Sequence, residues 1–204
     1  MSRYPPLAPA SLTGDQLELH NHIDSVCFKI FGDSKALPFI LKDNNDSLVG
    51  PFPLLLHSPE PLNGIGVFDY IMKMTSHPLL SASERELAIL AVGAHTGSVY
   101  ELYAHSLVAQ KIGMTEAQIK AAAEGKMPEG LNETEKTVFE ISSRLVSGKG
   151  PLPDNMHKAA SRLMGRNRVL VLIQLVAVYS YVCLILNAGA VGVPQEAVPD
   201  TKGA

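Results

Sequence analysis

The chain lacks tryptophan altogether, and aromatic residues make up only 6% of its 204 positions. A sheet-rich fold draws on aromatic and β-branched residues, so this poverty points toward helices instead. Cysteine is scarce too. Cys27 and Cys183 are the only two; they lie far apart and form neither a CxxC nor a zinc-ligand spacing, which argues against a disulfide scaffold and a structural metal site. Nor is there an excess of positive charge. With 17 Lys and Arg against 20 Asp and Glu the net charge is −3, so nucleic acid and anionic membrane surfaces, which select basic patches, are not expected partners. The sequence also lacks a His-x-x-Glu-His metal pair, a Gly-x-Ser-x-Gly nucleophile elbow and a phosphate-cradling loop. Gly64-Ile65-Gly66 has no third glycine and no strand before it. The opening Met1-Ser2-Arg3-Tyr4-Pro5-Pro6 holds no apolar core of the signal-peptide kind, so a cytoplasmic location is expected.

What the chain has in quantity is apolar residues, 46% of the total. Leu17, Ile23, Val26, Cys27 and Ile30 repeat at helical spacing between Thr13 and Phe31, and Gly32 supplies the stop. Gly50, Pro51, Pro53, Pro59 and Gly64 interrupt residues 43–66, leaving Leu54-Leu55-Leu56 as one apolar turn. A helix follows from Val67 to Thr75. The next is opened by one of two overlapping capping boxes, Ser83-x-x-Glu86 or Ser81-x-x-Glu84, and stops at Gly97. Ser98 to Lys111, Thr115 to Gly125, Asn132 to Gly148, Asp154 to Met164 and Val169 to Asn187 complete the series. No run alternates with period two. The expectation is an all-α bundle of about seven to eight helices. It forms a single domain over residues 13–195, with an extended arm at 1–12 and a flexible tail at 196–204.

The stretch Val169–Leu186 reads VLVLIQLVAVYSYVCLIL and has the bare length of a membrane span. Gln174, Tyr179, Ser180 and Tyr181 interrupt it, and no second span accompanies it. A helix apolar all round serves equally as buried core or subunit interface. The expected state is therefore a homo-oligomer, a dimer, trimer or hexamer, outside the membrane.

The densest polar cluster in apolar surroundings is Ser98-Val99-Tyr100-Glu101-Leu102-Tyr103-Ala104-His105. On a helix Ser98, Glu101 and His105 share one stripe, and Glu101 is spaced to touch His105. A carboxylate beside an imidazole raises its pKa and fixes its tautomer, the arrangement a general acid/base needs. Glu86 lies on the preceding helix, and the Gly97 break lets the two helices fold back together. His95 precedes that break and can face the same cleft. Such pairs also occur on solvated helix faces, where they carry no chemistry.

Arg85-Glu86-Leu87-Ala88-Ile89-Leu90, Tyr100-Glu101-x-x-Ala104-His105, Ala109 and Gly113 resemble the carboxymuconolactone decarboxylase family, part of the alkylhydroperoxidase D-like superfamily of helical oligomers. Leu48-Val49-Gly50-Pro51-Phe52 with Ser58-Pro59 resembles the segment before this motif in the cysteine-free branch. Tyr181, Asn187 and Val193-Pro194 fit the closing helix, so the likeness spans residues 45–195. The redox branch carries Glu, Cys-x-x-Cys and then His; here these positions are Glu86, Ser98, Glu101 and His105. Both thiols are missing, which excludes thiol–disulfide exchange at those positions. The resemblance implies a cofactor-independent lyase acting through an enolate on a small carboxylic acid or lactone. His105 would be its general acid/base, Glu101 the orienting partner and Glu86 a second proton-handling carboxylate. Ser98, Tyr100 and His95 would line the substrate pocket, with no metal. Two departures bear on substrate: Leu102 stands where the family often has Trp, and the last helix opens without an acidic residue, Gln174 being the nearest polar group. The same chemistry would serve an isomerase, cyclase or epimerase of a polyketide-like intermediate. A non-catalytic helical binding or assembly oligomer is the remaining reading. An enclosed His105 favours an enzyme and a solvated one a binding module; Cys27 and Cys183 are expected away from the stripe.

Overall fold

The computed structural model describes residues 2–32, 37–59 and 64–197, and every described regular element is helical. Nine α-helices among the described residues divide between two compact units, Met1–Tyr70 with Ile185–Ala204, and Ile71–Leu184.

In the first unit, α1 (Gly14–Phe31) ends at Gly32, whose φ of 78° suits a residue without a Cβ. Leu19, Ile23 and Cys27 bury the inner face of α1. The proline-broken stretch closes into the short α2 (Phe52–Leu56), the apolar turn expected there and the element beyond the anticipated count. α3 (Ile65–Thr75) begins in this unit, where Phe68 is fully buried. Among the described residues there is no strand, only an isolated bridge between Lys42 and Leu48. The arm is not free. It makes a 3₁₀ turn at Pro9–Ser11, the Arg3 amide donates to Gly189 O at 2.8 Å, and the Arg3 guanidinium donates to Ala188 O at 2.6 Å. At the other end Gln195–Ala197 form a further 3₁₀ turn, and the rest of the expected tail lies outside the described residues.

The second unit is built around α4 (Ala82–Thr96), which packs on α5 (Val99–Lys111), α6 (Glu116–Ala123) and α7 (Glu133–Ser147). A helix with neighbours on so many sides needs apolar residues all round, and Leu87 through Val92 are all buried. α8 (Asp154–Met164) follows α7, and α9 (Arg166–Ala188) closes the series, reaching into the first unit beyond Leu184. The ambiguous start of α4 resolves to the earlier box: Ser81 Oγ accepts from the Glu84 amide at 3.1 Å, and Glu84 accepts from the Ser81 amide at 2.8 Å. Ser83 instead donates to Glu135 of α7 at 2.7 Å. Glu86 is thereby released from any capping role. Equivalent boxes open α6 at Thr115 and α7 at Asn132.

Candidate acid/base site

Gly97 ends α4 in the left-handed conformation, φ 65°, and turns the chain so that α5 returns alongside. The two helices approach closely at Gly93, where a Cβ would lie 3.1 Å from the Leu102 side chain. This antiparallel hairpin sets Glu86 of α4 opposite Glu101 and His105 of α5. His105 Nδ1 lies 2.7 Å from Glu86 Oε2, a short charge-assisted hydrogen bond. On the other side of the ring, Nε2 lies 3.4 Å from Glu101 Oε2, too poorly aligned for a hydrogen bond, and that oxygen is buried without any hydrogen-bond partner. The side chains are enclosed, 12% exposed for His105, 5% for Glu86 and 4% for Glu101.

Burial by itself would push the His105 pKa down. The Glu86 charge and its hydrogen bond, helped by Glu101, overcome this and hold it up to about 8. Glu101 is raised above the usual carboxylate range, first by burial and then by Glu86, with His105 opposing. At neutral pH the ring is thus mostly imidazolium, its Nδ1–H donated to Glu86 and its Nε2–H turned toward a carboxylate with an unsatisfied oxygen. Buried orphan oxygens are uncommon, and they mark places where a ligand or water completes the pairing.

Of the two carboxylates it is Glu86, not Glu101, that makes the hydrogen bond to the His105 ring. Ser98, just before α5, is fully buried beside them. Tyr100 is also buried and packs edge-on against Tyr103 at 6.0 Å, five residues before His105 and about 140° from it around α5. His95 is exposed. It stands about two and a half turns from Glu86 on the opposite face of α4, in a depression of about 360 Å³ shared with Glu124, Ser143 and Ser147. The structure brings Ser98 to the cluster and leaves His95 outside it.

Two α9 residues join the site. Tyr179 meets the His105 ring edge-to-face, with centroids 5.1 Å apart and planes at 88°. Cys183, one turn on, is a correction: the thiol expected to lie away from the stripe is buried against the hydroxyls of Thr96 and Ser98 and near Glu101. Burial, then the Glu101 charge, pushes this thiol up to about 12, so it is protonated and unreactive. The sequence signal for Tyr179 was present: a phenol in an otherwise apolar helix needs a buried polar partner. Arg168 anchors the start of α9 by donating to both Glu84 oxygens, at 2.7 and 2.8 Å. Among the described residues no group of three or more His, Cys, Asp or Glu is arranged to hold a metal ion.

Residues 65–143, which carry α3 through most of α7, match the model of the carboxymuconolactone decarboxylase family. Over that segment the chain is similar to this family. No curated protein matches the sequence. Among solved structures the chain resembles the debrominase Bmp8, determined as a cysteine-to-alanine variant in complex with 2,3,4-tribromopyrrole. The TM-score is 0.69 at 11% sequence identity, covering 94% of this chain and 91% of that one. At that identity the likeness is one of fold, and it agrees with the alkylhydroperoxidase D-like helical architecture expected of a carboxymuconolactone decarboxylase relative.

Proposed function

We propose that this protein is an acid/base enzyme of the carboxymuconolactone decarboxylase type, a cofactor-independent lyase acting on an enolisable small carboxylic acid or lactone. The observation that carries the reading is the enclosed imidazole, hydrogen-bonded through Nδ1 to Glu86 at 2.7 Å and facing an unpartnered Glu101 oxygen through Nε2. A substrate carbon brought up to the edge where His105 Nε2 and Glu101 lie 3.4 Å apart meets an acid and a base side by side. Loss of CO₂ leaves the electron pair on that carbon as an enolate. The His105 Nε2 proton is delivered to it, and solvent restores the imidazolium. Glu86 keeps Nδ1 protonated throughout and stabilises the charged ring.

The test is turnover on a panel of lactones and 3-oxo acids, following both CO₂ release and solvent deuterium at the product carbon. His105→Ala should lower kcat by roughly 10²–10⁴, the range for a lost general acid/base. Full activity in His105→Ala would overturn the reading. Deuterium incorporation without CO₂ would keep the residues and change the reaction to isomerisation.

A further inference from the structure

We propose that Tyr179 is a positioning residue for His105: its ring holds the imidazole in register with Glu86, and its hydroxyl bond to Thr75 holds the ring. The inference deepens the acid/base reading of the same site.

Thr75 Oγ1 donates its only proton to Ile71 O at 2.8 Å. It lies 2.8 Å from the Tyr179 hydroxyl, and with its proton already used it accepts from Tyr179. The phenol proton is thereby committed. Burial, followed by the Glu101 and Glu86 charges, pushes the phenol far above its ordinary pKa, so Tyr179 does not supply a proton to the reaction. What reaches His105 is the ring. A perpendicular contact at 5.1 Å is a favoured aromatic geometry, and an imidazolium beside a phenol ring gains from the ring's quadrupole.

The titratable groups around the imidazole come from three helices: Glu86 from α4, Glu101 from α5, and Tyr179 from α9, with Cys183 one turn behind it. The carboxylates act on opposite edges of the ring, Glu86 at Nδ1 and Glu101 at Nε2. A ring free to tilt would lose the short Glu86 bond before it gained anything from Glu101. The Tyr179 wall blocks that tilt, and Thr75 stops the wall itself from turning. The polar interruption in the apolar α9 segment thus has a local purpose.

The experiment is an imidazole NMR titration of His105 in the full-length protein with ¹⁵N-labelled histidine. Tyr179→Leu should lower the His105 pKa by roughly 0.5–1.5 units, the scale of a lost ring contact and partial hydration. Tyr179→Phe and Thr75→Val should each produce a smaller drop. The double variant should move no further than either single one, because both remove the same bond. If Tyr179→Leu does not fold, Tyr179→Met, unbranched and better able to fill an irregular gap, takes its place. An unchanged His105 titration in a folded Leu or Met variant overturns the proposal, as does full additivity of Tyr179→Phe and Thr75→Val. The outcome is separable from the proposed activity: the titration can shift as expected while His105→Ala retains turnover, in which case the positioning stands and the enzyme reading falls.

Discussion

One short hydrogen bond, His105 Nδ1 to Glu86 Oε2, governs the charge of the buried cluster between α4 and α5. Because the folded-state pKa of about 8 lies above the ordinary histidine value of 6.5, the ionised ring stabilises the fold. That stabilisation is fully present below about pH 6.5 and is lost as pH rises through the folded pKa, amounting to about 2 kcal/mol. Denaturant unfolding at pH 6.5 and 8.5 should therefore show a decline that Glu86→Gln largely removes. The same variant should lower the His105 pKa, since the Glu86 charge and hydrogen bond are the main influences raising it. An unchanged His105 titration in Glu86→Gln would count against Glu86 as the orienting partner.

At the scale of elements, much of the fold was legible because helix ends are local chemistry. Gly32, Gly97, Thr115 and Asn132 each mark a boundary through their own backbone angle or side chain. The start of α4 was not legible, since Ser81 and Ser83 both offer a box. The choice is made by a distant residue, Glu135, which takes the Ser83 hydroxyl. Ser81→Ala should cost about 1 kcal/mol in thermal unfolding, the usual worth of an N-cap. Ser83→Ala should leave the helix start intact and weaken only the link to α7. The same distinction explains the site. Glu101 and His105, one turn apart, were readable from spacing, whereas Tyr179 and Cys183 come from a helix whose register against α5 no local pattern encodes. His95 was misplaced because nearness to Gly97 says nothing about which face of α4 a residue occupies.

For the whole molecule, the outstanding surface belongs to α9. The helix is long and apolar enough to cross a membrane by composition, yet 56% of its most apolar window is buried in the protein. Leu170, Ala177, Tyr181 and Leu184 stay exposed at helical spacing and form one stripe. A second copy covering this stripe is the expected arrangement, and light scattering of the wild type should report an oligomer. Leu170→Glu with Leu184→Glu should reduce its mass, and a monomeric wild type would refute this. The hairpin of α4 and α5 has a further consequence, in the order of events during folding. Glu86 and His105 are only 19 residues apart in sequence, so closing the loop between them costs little entropy and proceeds as a local contact. Tyr179 is delivered much later along the chain. During synthesis Glu86 and His105 are therefore expected to meet before α9 emerges, leaving the Glu86 and Glu101 carboxylates open to water until α9 docks and seals them.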